Sequence, residues 1–248
     1  MKLTILGFWG GYPAADGATS AYLLEEKNFK LLLDAGSGSL AKLQKYINLK
    51  DLNAVILSHH HHDHIADIGV LQYAKLVQSF TTDCRRTLPI YSHNEDKERF
   101  DALSHDYTEG VVYNPNAPLH IGPFSITFMK TFHPVPCYGM RITNGEGTLV
   151  YTADTAYKKE WEAFAANADV LITDCNFYAD QDGTKAGHMT SKEGAIIAEH
   201  ANVKQLILSH LPQYGDHSRL IQEAKQYYNG PVQLAKEGLT WEFKSGEQ

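Results

Sequence analysis

Four apolar runs of strand length lead directly into side chains that can ligate a metal. NAVILS leads into His59, FSITFMKTF into His133, TLVYTA into Asp154 and QLILS into His210. Polar residues mark strand ends in many folds. Four ends that all carry imidazole or carboxylate chemistry instead call for rigid strands converging on one sheet edge, where a site can be built from residues far apart in the chain. Further strand-length runs are LTILG, YLLEE, KLLLDAG, LPIYS, GMRIT, DVLITD and LTWEF. Helical patterns over 64–79, 157–166, 191–201 and 217–228 are interleaved with them. Thr190-Ser191-Lys192-Glu193 reads as a capping box, and Asn144-Gly145-Glu146-Gly147 as a hairpin turn. No linker or low-complexity stretch divides the 248 residues, so a single α/β domain over 1–248 is expected, long enough to bury its own core.

The densest cluster of ligand chemistry is the run His59-His60-His61-His62-Asp63-His64, placed between an apolar strand and an amphipathic helix. Its internal position argues against a tag-like polyhistidine stretch. After a strand, His59 and His61 would face one metal while Asp63 and His64 face a second. His60 and His62 are then spacers that face solvent or pack locally. Imidazole and carboxylate donors without thiolates suit zinc first, with manganese and iron also compatible.

The run matches the His-x-His-x-Asp-His signature of the metallo-β-lactamase superfamily, which the chain resembles over nearly its full length. Leu31-Leu32-Leu33-Asp34-Ala35-Gly36, Phe132-His133-Pro134, Tyr151-Thr152-Ala153-Asp154-Thr155 and Leu208-Ser209-His210 follow in family order. The resemblance implies an αββα four-layer sandwich, with two mixed β-sheets between outer helices and the metals at one edge. It implies His59, His61 and His133 as ligands of one metal and Asp63, His64 and His210 as ligands of the other. Asp154 would bridge them, together with a water or hydroxide that serves as nucleophile.

Gly187-His188-Met189-Thr190-Ser191 resembles the phosphodiesterase branch that includes tRNase Z. The likeness implies that His188 protonates the leaving alkoxide, a task suited to a group titrating near neutrality. Asp174, near where that branch carries a glutamate, would orient His188. Asp34 is expected behind a ligand, fixing loop geometry or a tautomer. The Gly7-Phe8-Trp9-Gly10-Gly11 loop, with Thr19 and Ser20, offers N–H groups and hydroxyls to a phosphate. The branch is often dimeric, which implies a homodimer.

Substrate size is constrained by departures from tRNase Z. Asp67 stands where glycine is common, Leu211-Pro212-Gln213-Tyr214 replaces an arginine-bearing stretch, and no glycine-rich basic arm is inserted. With a net charge of −7, the chain lacks an evident electrostatic platform for tRNA. The expected activity is therefore hydrolysis of a small cyclic or short-oligonucleotide phosphodiester. Thioesterase or lactonase chemistry, and metal binding without catalysis, are the alternatives. Cys84, Cys137 and Cys175 form no disulfide framework, and no run approaches the ~18 apolar residues of a membrane span. A cytoplasmic protein with no membrane partner is expected.

Overall fold

The structure, a computed structural model, describes residues 1–82 and 85–243. Cys84 lies outside the described residues. The first half of the chain lays down strands β1 (Lys2–Gly7), β2 (Ala21–Glu26), β3 (Phe29–Leu33), β4 (Ala54–Ile56), β5 (Leu88–Ser92) and β6 (Thr108–Val112). The second half lays down β7 (Leu119–Ile121), β8 (Phe124–Lys130), β9 (Tyr138–Thr143), β10 (Thr148–Tyr151), β11 (Val170–Asp174), β12 (Leu206–Ser209) and β13 (Val232–Leu234). A last strand, β14 (Thr240–Glu242), returns to pair with β1. The result is two seven-stranded sheets, ordered β14-β1-β2-β3-β4-β5-β6 and β13-β12-β11-β10-β9-β8-β7. Each is mixed: the hairpin-linked pairs β1–β2, β2–β3, β7–β8, β8–β9 and β9–β10 are antiparallel. The pairs β3–β4–β5–β6 and β10–β11–β12–β13 are parallel.

The near-continuous apolar character of the central strands follows from burial on both faces. Leu31 and Leu33 point between the sheets, where they join Leu24, Met140, Ile142, Leu149 and Ile172. Leu32, between them in sequence, points outward with Leu23, Val55 and Leu57. The outer layer over the first sheet includes α1 (Ser39–Leu43) and α3 (Ile68–Thr81), whose Leu40, Leu43, Ile68 and Leu71 pack there. Over the second sheet, α5 (Glu160–Phe164), α6 (Ser191–His200) and α7 (His217–Ala224) contribute Trp161, Ala195, Ile197, Ala198 and Leu220. The architecture is thus the expected αββα sandwich. Among the described residues, no helix is long and apolar enough to cross a membrane.

Local signals held where short-range chemistry decides. The capping box opens α6, with the Thr190 side chain accepting from the Glu193 N–H and Glu193 reaching back. The 144–147 turn joins β9 to β10, with Asn144 Oδ1 accepting from the N–H groups of Glu146 and Gly147. The helix expected over 64–79 is instead broken into α2 (His62–Ile65) and α3. The His64 carbonyl accepts from Ala35 N–H at 2.7 Å, Asp67 N–H donates to the Ala35 carbonyl, and Asp67 Oδ2 accepts from Leu40 N–H. These long-range bonds anchor the break to the loop after β3. Strands β6, β7 and β13, helix α1 and the short helix α4 (Lys97–Asp101) lacked a recognisable pattern in sequence. Helices α5 and α7 are shorter than their apolar spacing suggested.

Candidate metal centre

The loop after β4 carries the histidine run into α2. His59 and His64 are fully buried and Asp63 is nearly so. His59 Nδ1 lies 3.0 Å from Ser58 Oγ, leaving Nε2 free. Behind His64 stands Asp34, whose Oδ2 lies 2.8 Å from His64 Nδ1 and turns His64 Nε2 toward the centre. Asp34 also accepts from Ser58 N–H, Ser58 Oγ and Tyr151 Oη. The Tyr151 bond crosses from one sheet to the other, as does the 2.7 Å bond between Tyr22 Oη and Ser209 Oγ. A polar layer under the site therefore locks the two sheets in relative position. His60, one of the spacers, is buried and stacks on His93 at 4.5 Å, whereas His62 is exposed.

The second sheet supplies its donors one strand end at a time. Ala153, next to Asp154, and His210 have φ values of 53°, and Asp34 has 56°, conformations rarely adopted by side-chain-bearing residues. Each follows the C-terminal end of a central strand, where the chain turns sharply and aims a side chain along the sheet edge. His133 Nδ1 donates to the Gly187 carbonyl at 3.0 Å, which leaves Nε2 3.0 Å from His61 Nδ1. His210 Nε2 lies 3.1 Å from Asp63 Oδ2 and 3.4 Å from Asp154 Oδ2. Gly10 permits the close approach of the first loop: a Cβ there would sit 2.7 Å from His210 Nδ1.

All seven candidate ligands therefore meet. His59, His61, His133 and Asp154 form one group, and Asp63, His64, Asp154 and His210 a second, each with donor atoms within 4.8 Å of one another. Asp154 belongs to both. His59 Nε2, His64 Nε2 and Asp154 Oδ1 are buried and make no hydrogen bond. Native proteins rarely leave buried polar atoms unmatched, and orphans of this donor type facing one another fit a divalent cation.

The two groups differ electrostatically. Burial pushes His59, His61 and His133 down, leaving neutral imidazoles with lone pairs to offer. For His64, burial is outweighed by the carboxylates of Asp154, Asp34 and Asp63, which hold it well above its ordinary value. His210 is likewise pushed up to about 10 against burial, chiefly by Asp154 and Asp174. Asp154, despite burial, is held well below the usual carboxylate range by His210, His64 and His59. The carboxylates of the second group thus call for positive charge at this position.

A third cluster lies alongside. His188 Nδ1 is 2.8 Å from Asp174 Oδ2, and Asp174 Oδ1 is 3.6 Å from His210 Nδ1. Asp174 outweighs burial and raises His188. His188 shares a cavity of about 270 Å³ with Asp63, Asp154 and His210, also lined by Tyr12, Asn176 and Gln213. Sequence reasoning missed Ser58, Tyr151 and Asn176. Asn176 donates to the His210 carbonyl and its N–H donates to Asp174, a link whose only trace in sequence is its position two residues after Asp174.

The phosphate role expected for the glycine loop is not supported. The N–H groups of Phe8 and Trp9 donate to Ala18, Gly10 to Leu211, Gly11 to Asp63 Oδ2 and Tyr12 to Gly10. Thr19 and Ser20 are fully buried. The loop braces Asp63 instead of presenting open donors.

Comparison with known proteins agrees with this construction. Residues 30–211 match the model of the β-lactamase superfamily domain. The chain is 53% identical over 243 residues to the probable metallo-hydrolase YhfI of Bacillus subtilis (strain 168), covering 98% of this chain and 100% of that protein. The crystal structure of YhfI superposes with a TM-score of 0.96 over 97% of this chain and 98% of that one. The fold is also shared with the short form of human tRNase Z, at a TM-score of 0.78 and 18% identity over 98% of this chain and all of that one. A diphosphatase of the PhnP family aligns with a TM-score of 0.77 and 17% identity, over 98% of each chain. The chain belongs to the metallo-β-lactamase superfamily of metal-dependent hydrolases.

Proposed function

We propose that the chain is a phosphodiesterase for small cyclic or short nucleotide-type phosphodiesters, working at a binuclear metal centre. His59, His61 and His133 would hold one cation, Asp63, His64 and His210 the other, and Asp154 both. Zinc suits this nitrogen and oxygen donor set, and manganese or iron could replace it. Bound there, two divalent cations supply a water of lowered pKa and charge stabilisation for the attacking and leaving oxygens.

The observation that carries the reading is the His188–Asp174 pair beside the two ligand groups. Asp174 accepts from His188 Nδ1 and favours the protonated ring, so His188 Nε2 can deliver a proton to a leaving alkoxide. An alkoxide needs that proton, whereas the thiolate released from a thioester leaves without one. The small cavity and the net charge of −7 favour a compact substrate over folded tRNA. The similarity in fold to a tRNase Z and a diphosphatase, both enzymes of phosphate chemistry, supports the same reaction class.

The test is turnover of bis(p-nitrophenyl) phosphate, a thioester and a lactone by protein loaded with zinc, manganese or iron. Turnover of the phosphodiester is expected. Activity on the thioester or lactone alone would transfer the site to carboxyl-level substrates, and inactivity on all three with every metal would leave a metal-binding protein without catalysis.

A further inference from the structure

A second cavity of about 410 Å³ adjoins the catalytic one, lined by Phe132, His133, Pro134, Thr184, Lys185 and Gly187. Its size falls in the range of small-ligand sites. Two segments form its walls, and each runs directly into the reaction centre: 132–134 carries His133, and 184–187 leads into His188. The 3.0 Å bond from His133 Nδ1 to the Gly187 carbonyl ties the walls together. Gly187, at φ +78°, lets them approach, since a Cβ there would stand 2.7 Å from both His133 Nδ1 and Pro134 Cδ. His133, which lines the cavity, has its ring 5.3 Å from that of His188, the proposed proton donor.

Phe132 is the unexplained residue of this cavity. The residue is 54% exposed although its backbone is held on both sides, with its N–H donating to Thr155 Oγ1 and its carbonyl accepting from Ala156 N–H. Among the described residues no other ring packs on it within aromatic contact distance, and Lys185 beside it has no salt bridge. An open aromatic face, a proline ring and an amine donor match the two chemistries of a nucleobase, a π-face to stack and an acceptor-bearing edge. The cavity on the other side of His61, about 330 Å³ and lined by His60, His93, Asp96 and Arg99, differs. There the two imidazoles stack on each other and Arg99 pairs with Asp96.

We propose that the Phe132 cavity receives the planar base of a nucleotide-type substrate, with Phe132 as its stacking platform and a determinant of specificity. The inference rests on the phosphodiesterase reading for its choice of ligand, but its test is a binding ratio that needs no turnover. Metal-loaded protein is titrated calorimetrically with adenosine 5′-monophosphate and with ribose 5-phosphate, which presents the same phosphate without a base. The nucleotide should bind tighter by about 5- to 150-fold, the range of base–aromatic stacking. Phe132→Ala should collapse the ratio toward one with metal content unchanged, and Phe132→Tyr should retain it. Equal affinities in the wild-type protein, no detectable nucleotide binding, or a ratio that survives Phe132→Ala would overturn the assignment. So would a ratio lost in Arg99→Ala but kept in Phe132→Ala, which would put the base in the opposite cavity. Failure to hydrolyse bis(p-nitrophenyl) phosphate would count against the reaction class, and is read separately from this ratio.

Discussion

The two sheets build their shares of the site in different ways. The first presents His59, His61, Asp63 and His64 from one run of six residues that passes from the loop after β4 into α2, fixed from behind by Asp34 and Ser58. The second presents His133, Asp154, Asp174 and His210 from the ends of separate strands, and His188 from the turn before α6. The run concentrates donors by sequence adjacency, so its members share one local backbone. The strand ends concentrate theirs only because parallel strands terminate on the same edge. A residue of the second set can therefore touch several members of the first, as Asp154 approaches His59 and His64.

Asp154→Ala tests that asymmetry most severely. Its carboxylate belongs to both ligand groups, so bound metal and turnover should fall together to background, measured by elemental analysis and by hydrolysis of bis(p-nitrophenyl) phosphate. Two equivalents of metal retained in this variant would break the comparison. His188→Ala should separate the proposed proton donor from the proposed ligands: metal content persists while turnover on a poor leaving group drops by about 10²- to 10⁴-fold. A p-nitrophenolate leaving group, which needs little protonation, should recover part of the rate, and loss of metal would instead make His188 a ligand.

Asp34→Asn keeps the side-chain shape and tolerates φ of 56°, but removes the charge facing His64 Nδ1. Metal affinity should fall by about 10- to 100-fold in competition with a chelator, the usual cost of an altered ligand support. An unchanged affinity would show that the first loop holds its geometry without help from beneath. The smallest expected effect is a shift in pH dependence. Asp174 raises His188, and the acid must be protonated to act, so Asp174→Asn should lower that pKa and move the alkaline limb of kcat/KM to lower pH. An unmoved limb would assign it to another group.

The run 59–64 was legible because its members are neighbours in the chain, and the strand ends were legible because each lies at the end of an apolar run. The αββα layers were implied by the family resemblance, whereas the residues themselves called only for an α/β domain, with Leu31, Leu32 and Leu33 apolar without a gap as in strands buried on both faces. The break between α2 and α3 was hidden, since it depends on Ala35, Leu40 and Asp67 meeting across the fold. The support around Asp34 was only half visible. Its position after a strand suggested a role behind a ligand, but its partners Ser58, His64 and Tyr151 lie 24, 30 and 117 residues away.

By itself the sequence determined the donor set, the strand ends that carry it and the cap and turn that frame α6, because these depend on residue chemistry and short-range backbone bonds. Only the tertiary structure decided that Asp174 approaches both His188 and His210 and that the glycine loop braces Asp63. It also decided that Phe132, an unremarkable aromatic next to a histidine in sequence, lies open in a cavity beside the reaction centre. Each of these is a distance between residues remote in the chain, set by sheet packing and burial that no local pattern encodes.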